Sequence, residues 1–279
     1  MRNLASEEGD EKQDNYKITS AQVKTNKSFT IFIISKSQMS CQPLSIIIPA
    51  LNEEVHLGRL LRSIKKQSFG NYEIIVADGG SRDKTKKIAR LHNCVVVKGG
   101  SPAQGKNAGA KKARGKLLLF LDADVVLEKN SLSRVLKEFK KKKLKIATFF
   151  LLPASKEKTP KFLFTFFYNI PIFLLEKVLP HAAMGILIEK KLFEKLGGFD
   201  EKITLAEDHD LARRGNRLGK YGIIKSSKIR VSDRRFKKEG WLKTYSKYLL
   251  CEGHMILIGP VKSDIFKYRF FQKENFKKN

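Results

Sequence analysis

From residue 44 onward, short, mainly apolar segments alternate with segments of helical periodicity, and this alternation restricts the fold more than any other feature. Apolar runs occupy residues 44–48, 72–77, 94–97 and 117–121, and helical spacing covers residues 53–67, 83–91 and 107–114. Strands that alternate with helices at this spacing predict an α/β fold with a mostly parallel, Rossmann-like sheet flanked by helices. Ligands of such sheets bind at the carboxyl ends of the strands.

The charge is strongly basic, with 56 Lys and Arg against 28 Asp and Glu, a net charge of +28. This excess favours a polyanionic partner, namely nucleic acid, an anionic membrane surface or a phosphorylated substrate, although a lysine-rich proteome would give the same number. The three cysteines are widely spaced and predict no disulfide framework. The polar, acidic N-terminus does not resemble a secretory signal, so we expect a cytoplasmic protein.

Composition and hydrophobic periodicity divide the chain into three parts. Residues 1–42 are polar without sustained periodicity and predict a mobile N-terminal extension, within which Met39 is an alternative start. Residues 43–240 carry the alternating pattern and form the predicted folded domain. Residues 241–279 are predicted to be a basic, helical C-terminal tail.

Polar clusters follow three of the predicted strands. Asn52 and Glu53 follow the first, Asp78 follows the second, and Asp122 and Asp124 follow the fourth. We expect all of them at one edge of the sheet. Paired carboxylates there suit Mg²⁺ or Mn²⁺, which would bridge a diphosphate. The alternative is that Asp122 and Asp124 are turn residues that cap the next helix.

Two glycine-containing segments add to this edge. Asp78-Gly-Gly-Ser-Arg-Asp83 allows a ligand close to the backbone, with Asp78 as an acceptor for a base or ribose. In Gly105-Lys-Asn-Ala-Gly109, Lys106 can meet a phosphate or a base edge, and the amides open a helix. Plain strand-turn-helix connections and a solvated lysine are the alternatives.

Five motifs in order resemble family 2 glycosyltransferases of the nucleotide-diphospho-sugar transferase superfamily. They are Ile46-Ile-Ile-Pro-Ala-Leu-Asn-Glu-Glu54, Asp78-Gly-Gly-Ser-Arg-Asp83, Gly105-Lys-Asn-Ala-Gly109, Phe120-Leu-Asp-Ala-Asp124, and Gly197-Gly-Phe-Asp200 followed by Glu207-Asp208. The resemblance spans about residues 44–235. It implies a GT-A domain over residues 43–240, with a nucleotide-binding half (43–126) and an acceptor half (127–240). It also implies an inverting enzyme that uses a nucleotide-diphosphate sugar and a divalent metal, Mg²⁺ or Mn²⁺.

The resemblance also implies residue roles. Asp78 would hold the nucleobase or ribose, Asp122 would lie near the ribose or metal, Asp124 would be the metal ligand, and Asp208, beside Glu207, would be the catalytic base. A positioned carboxylate can take the proton of the acceptor hydroxyl. The alternative is that Glu207 and Asp208 are only the acidic residues at the start of a helix. The complete set of candidate donor-binding residues is Pro49, Asn52, Glu53, Asp78, Asp83, Lys106, Asp122, Arg234 and Arg235.

Two departures from the family pattern matter. The turn after the second strand is Asp-Gly-Gly-Ser, where many relatives have Asp-Asp-Gly-Ser. The Gln-x-x-Arg-Trp motif of the processive relatives is absent, which argues against a polymerising synthase. Ser232-Asp-Arg-Arg-Phe236 stands in a comparable place, and Arg234 or Arg235 could clamp the diphosphate.

An unusually aromatic stretch at residues 162–179 contains Asn169 and Pro171, which make it a poor membrane span. We expect a surface-lying or acceptor-facing element, with a buried core helix as the alternative. Together with the charge, it predicts a peripheral protein at the inner face of an anionic membrane, with a hydroxyl acceptor that can be lipid-linked.

Two other functions fit parts of the sequence. A sugar nucleotidyltransferase would carry a glycine-rich, basic loop after the first strand, whereas the loop at residues 49–54 is acidic and glycine-free. A nucleic-acid-binding protein is suggested by charge alone, and no binding motif accompanies it. We therefore predict a glycosyltransferase that does not bind nucleic acid.

Overall fold

The computed structural model describes residues 44–155, 158–263 and 265–266. The predicted extension at residues 1–42 lies outside the described residues, as do residues 267–279 of the predicted tail. The strands are β1 (Leu44–Ala50), β2 (Tyr72–Asp78), β3 (Val95–Lys98), β4 (Leu117–Leu121), β5 (Val125–Leu127), β6 (Ile146–Pro153), β7 (Gly185–Glu189) and β8 (Tyr221–Val231).

Ten α-helices and one π-helical turn accompany these strands within the described residues. They are α1 (Glu54–Lys65), α2 (Thr85–Leu91), α3 (Pro102–Lys112), α4 (Ser131–Lys141), α5 (Lys158–Phe164), the π-helical turn (Thr165–Asn169), α6 (Ile170–Leu174), α7 (Lys190–Lys195), α8 (Glu207–Leu218), α9 (Arg234–Glu239) and α10 (Trp241–Leu257).

The strands form one sheet in the order β3-β2-β1-β4-β7-β6-β8-β5. The first four neighbours are parallel, as the alternation of strands and helices predicted. β7 runs antiparallel to both β4 and β6, and β5 runs antiparallel to β8, so the second half of the sheet is mixed. The α/β class and the sheet flanked by helices are confirmed, and the carboxyl ends of β1, β2 and β4 lie at the same edge.

Both faces of the sheet carry a hydrophobic core. On one face, Leu57, Leu60 and Leu61 of α1 are completely buried against the sheet. On the other face α3 lies so close to β1 that a Cβ at Gly109 would overlap Cγ2 of Ile47. The glycines of the Gly-Lys-Asn-Ala-Gly segment therefore permit close helix–strand packing.

Helix α3 begins earlier than the sequence pattern predicted. The spacing predicted a helix over residues 107–114, but the helix starts at Pro102. Ser101 is its N-cap and forms a capping box with Gln104, and Pro102 occupies the first turn. The capping pattern is present in the sequence, but the neighbouring Gly99, Gly100 and Gly105 are more typical of a loop.

The aromatic stretch folds into α5, the π-helical turn and α6, which lie against α9 and α10. Asn169 holds the turn to β6 through two hydrogen bonds with the backbone of Leu151. Phe164 packs against Phe236 and Trp241. In the part of the chain that the structure describes, no helix combines the length and the apolar character needed to cross a bilayer.

Candidate active site

The loops after β1 and β2 are joined by hydrogen bonds. The Asn52 amide donates to Oγ of Ser81 (2.9 Å), and the Arg82 amide donates to Oδ1 of Asn52 (3.0 Å). Asn52 has a positive φ of 54°, a conformation that asparagine tolerates well. Its side chain therefore shapes the site by holding the second loop.

Asp83 fastens the starts of α1 and α2. It accepts hydrogen bonds from the backbone amides of Glu54 (3.0 Å) and Thr85 (2.9 Å). Burial alone would raise the pKa of Asp83, but the hydrogen bonds from Thr85 and Glu54 outweigh it and lower the pKa. Its contacts are structural, and its predicted contact with the donor stays a prediction.

Asp78 presents an acceptor at this edge. Its Oδ2 accepts from the amides of Gly80 and Ser81, both at 3.1 Å. Its buried Oδ1 accepts no hydrogen bond from the described residues. A buried carboxylate oxygen without a donor is costly, so a ligand N–H or O–H is the partner that this geometry favours.

Glu53, Asp124 and Arg234 form a second ionic group. The guanidinium of Arg234 holds Glu53 with both Nη atoms (Nη2–Oε1 2.5 Å, Nη1–Oε2 3.2 Å), and its Nε lies 3.4 Å from Oδ2 of Asp124. Burial raises the pKa of Glu53, and the Arg234 guanidinium opposes this rise. Arg234 thus supplies the positive charge next to Asp124.

Two other predicted donor-binding residues have contacts outside this ionic group. Arg235 lies 3.7 Å from Glu239, and Pro49 lies against Gly105 of α3.

The carboxylates of Asp122 and Asp124 fit a divalent cation. Burial raises the pKa of Asp122 to about 7; Lys106 opposes the rise, and neighbouring carboxylates, including Asp124 and Asp208, add to it. The Asp122 side chain keeps 38% of its exposure, so an ion can reach it. Accessible carboxylate oxygens that are surrounded by excess negative charge suit Mg²⁺ or Mn²⁺.

Lys106 lies beneath these carboxylates, almost completely buried. Its Nζ donates to Asp208 Oδ1 (2.6 Å) and Glu207 Oε1 (2.8 Å) and lies 4.0 Å from Asp122 Oδ1. Burial would lower the pKa of Lys106, but Asp208, Glu207 and Asp122 raise it, so the ammonium is permanent. The sequence suggested a phosphate or base contact, whereas the structure shows the ammonium engaged by carboxylates.

Asp208 and Glu207 occupy the first turn of α8, and their pKa values shift in opposite directions. For Asp208 burial dominates and raises the pKa, with Lys106 opposing. Burial acts in the same direction on Glu207, but the attraction to Lys106 outweighs it and lowers the pKa. One buried cation therefore holds a permanent carboxylate beside a second carboxylate that is the better proton acceptor.

The sequence reading missed a group next to this turn. The ring of His209 lies 3.6 Å, centroid to centroid, from that of His181, and Glu252 is close to both. These residues come from three distant parts of the chain, so no spacing in the sequence indicates them.

Known proteins share the sequence pattern that builds this geometry. Residues 45–197, more than half of the chain, match the family model described as Glycosyl transferase family 2. The chain is 40% identical over 95 residues to 4,4'-diaponeurosporenoate glycosyltransferase of Staphylococcus haemolyticus, covering 31% of this chain and 25% of that protein. It is 33% identical over 106 residues to GalNAc(5)-diNAcBac-PP-undecaprenol beta-1,3-glucosyltransferase of Campylobacter jejuni, covering 34% of each.

A longer match, 29% identical over 179 residues, is to an uncharacterized glycosyltransferase of Haemophilus influenzae and covers 60% of each chain. The matches thus span between a quarter and 60% of the length of these curated relatives.

Two solved structures share the fold. Residues 1–349 of TarS from S. aureus in complex with UDP-GlcNAc superpose with a TM-score of 0.55 at 22% identity, covering 68% of this chain and 58% of that one. The mannosyltransferase PcManGT from Pyrobaculum calidifontis in complex with GDP-Man and Mn²⁺ gives a TM-score of 0.60 at 18% identity, covering 81% and 67%. The likeness confirms the predicted GT-A fold.

Proposed function

The chain belongs to glycosyl transferase family 2, and on that premise we propose that it is an inverting enzyme that moves a sugar from a nucleotide-diphosphate sugar to a hydroxyl acceptor. The observation that carries the proposal is the buried Lys106 ammonium. It holds Asp208 and Glu207 on one side and lies 4.0 Å from Asp122 on the other. The proton acceptor and the candidate site for the nucleotide-sugar donor thereby belong to one ionic cluster.

In the proposed reaction, Asp208 takes the proton of the acceptor hydroxyl. The acceptor oxygen forms a bond to the anomeric carbon while the bond from that carbon to the diphosphate oxygen breaks. The nucleoside diphosphate leaves with the electron pair, and direct displacement inverts the anomeric configuration. A general base of this kind contributes about 10²- to 10⁴-fold in rate. Its raised pKa makes Asp208 a better proton acceptor than an ordinary aspartate.

Asp122 and Asp124 would hold the divalent cation, Mg²⁺ or Mn²⁺, in this proposal. When bound, such an ion neutralises the charge that develops on the leaving diphosphate. Arg234 supports the same role, because its guanidinium already lies 3.4 Å from Asp124 and its side chain is 46% exposed. It can exchange Glu53 for a phosphate with the same two-pronged geometry.

The nucleoside would lie against Asp78, whose Oδ1 accepts no hydrogen bond from the described residues. A base N–H or a ribose hydroxyl would satisfy it. UDP-GlcNAc and GDP-Man, the ligands named with the two solved structures, both carry such donors. A screen of nucleotide sugars would distinguish uracil from guanine.

We also propose that the protein acts at the inner face of an anionic membrane on a lipid-linked acceptor. Four phenyl rings of the aromatic stretch, those of Phe162, Phe166, Phe167 and Phe173, are exposed. Phe167 contacts Tyr245 of α10, a helix with its own exposed leucines, and Lys225 lies 4.3 Å from the ring of Phe173. Apolar side chains beside lysines suit an anionic bilayer surface. The Campylobacter relative carries undecaprenol in its name.

A hydrolysis screen of nucleotide sugars, with and without Mn²⁺, tests the enzymatic proposal. We expect one nucleotide sugar to be turned over by the wild type in the presence of the metal and far more slowly by Asp208→Asn. Turnover at the wild-type rate in Asp208→Asn would place the base elsewhere.

Sedimentation with anionic vesicles across a salt series tests the membrane proposal separately. Binding should weaken with salt but persist, because salt screens only the charged part. No binding at low salt would refute it.

A further inference from the structure

Three side chains outside the strand-end carboxylates lie together where the loop before β7, helix α8 and helix α10 meet. Nδ1 of His181 is 3.6 Å from Oε2 of Glu252, and Nε2 of His209 is 4.0 Å from the same oxygen. One ligand atom from each residue lies within 4.8 Å of the other two. The two imidazole rings and the carboxylate thus converge on one point.

The hydrogen bonds around the cluster leave the converging atoms available. Nδ1 of His209 donates to the carbonyl oxygen of Ala182 (2.5 Å), because that oxygen can only accept. Nε2 of His209 therefore carries a lone pair. Oε1 of Glu252 accepts from Nη2 of Arg213 (2.5 Å), which orients the carboxylate and leaves Oε2 facing the rings. An imidazole held by a backbone carbonyl and a carboxylate held by a second partner are the usual support of metal ligands.

The chemistry of the ligands is also favourable. Burial lowers the pKa of His209 to about 4, and burial, with the neighbouring His209 imidazole and Arg213 guanidinium, lowers the pKa of His181. Both imidazoles are therefore neutral near pH 7, which is the form that binds metals.

We propose that His181, His209 and Glu252 bind a divalent transition-metal ion of the Zn²⁺ class. Bonds of about 2.0–2.1 Å in a tetrahedral centre put ligand atoms about 3.4 Å apart. The observed separations of 3.6 and 4.0 Å from Oε2 of Glu252 would close by about 0.2 and 0.6 Å, and the ligand atoms of the two imidazoles, which lie within 4.8 Å of each other, would also move closer. Two nitrogens and one oxygen favour Zn²⁺ over Mg²⁺, so this site differs in kind from the all-oxygen pair Asp122 and Asp124.

The bound ion would join α10 to α8 at the residue that directly follows Asp208. It would thereby fix α10, with its exposed leucines, against the acceptor half. This role is structural and is independent of the proposed glycosyl transfer, so either can fail without the other.

Titration of the tag-free, full-length protein with Co²⁺ tests the site, because tetrahedral Co²⁺ absorbs strongly in the visible range. We expect one equivalent to bind with this absorption and Zn²⁺ to displace it. His181→Gln and Glu252→Gln should each weaken binding by roughly 100-fold or more, since loss of even a supporting residue costs 10- to 100-fold. His254→Gln, on the same helix α10, and Asp124→Asn should both keep the tetrahedral Co²⁺ absorption of the wild type.

Circular dichroism of each metal-free variant confirms that it is folded before titration. Zn²⁺ should raise the melting temperature of the wild type and of His254→Gln, and leave His181→Gln and Glu252→Gln unchanged. The proposal is overturned if the folded wild type gives no tetrahedral Co²⁺ spectrum, or if His181→Gln and Glu252→Gln bind Co²⁺ as tightly as the wild type.

Discussion

Replacing Lys106 by methionine removes the charge at the centre of the proposed active site and shortens the unbranched side chain by one atom. The Lys106 side chain is 3% exposed and donates to Asp208 at 2.6 Å and Glu207 at 2.8 Å. Removing one partner of a buried ion pair leaves the other charge uncompensated, which costs about 3–5 kcal/mol. The free energy of unfolding of native proteins is about 5–15 kcal/mol. Lys106→Met should therefore still fold, but its midpoint of urea denaturation should be clearly lower.

The same change should move the pH dependence of the reaction. Lys106 opposes the rise that burial causes in the pKa of Asp208. Without the ammonium that pKa rises further, and the base is protonated over a wider range. The acidic limb of kcat/KM should therefore move to higher pH, with activity partly recovered as the pH is raised. A displacement of this limb by one pH unit corresponds to about 1.4 kcal/mol.

Donor titration then separates this role from a direct donor contact. If Lys106 acts through the carboxylates, the affinity for a nucleoside diphosphate with Mn²⁺ should fall by less than about tenfold, or 1.4 kcal/mol. Lys112→Met, at the exposed end of α3, is the matched control and should leave both readouts unchanged. A large loss of donor affinity in Lys106→Met with an unmoved pH profile would refute the reasoning.

Three further changes test single features. Asp208→Asn should keep donor affinity and lose about 10²- to 10⁴-fold in turnover, which single-turnover kinetics would measure. Gly109→Ala should cost about 1–3 kcal/mol in urea denaturation, because its Cβ overlaps Cγ2 of Ile47 in a packed core. Burial would raise the pKa of Glu138, but hydrogen bonds from Lys142, and then from Ser226 and Lys225, hold it at about 2. The stability that this carboxylate adds is present above its ordinary pKa of 4.5 and is lost as the pH falls towards 2. Glu138→Gln should therefore lower the melting temperature at pH 7 but not near pH 2; an equal loss at both would contradict the assignment.

Much of the fold and the outline of the site were predictable because the signals are local. The apolar runs that became β1, β2 and β4 place Asp78 and Asp122 at strand ends, and the parallel order then puts them at one edge. The loop chemistry of Asn52 and Asp83 follows from the same short segments. The capping box at Ser101 was equally local, and we overlooked it.

The rest depends on contacts between distant parts of the chain. Lys106 meets Glu207 and Asp208 across 101 and 102 residues, so the sequence shows a lysine on a helix but not the carboxylates above it. His181 approaches His209 only because the loop before β7 lies beside α8, and Glu252 does so only because α10 lies there too. Such pairings are decided by how the elements pack, which local patterns do not encode.

Calorimetric titration with UDP and GDP, with and without Mn²⁺, tests most directly whether the strand-end carboxylates form a metal-dependent nucleotide-sugar site. Wild-type protein should bind one of these diphosphates with Mn²⁺ and lose most of the affinity without it. Asp124→Asn should fold normally and bind no better with Mn²⁺ than without. Equal, Mn²⁺-dependent affinity in the wild type and in Asp124→Asn would contradict the account.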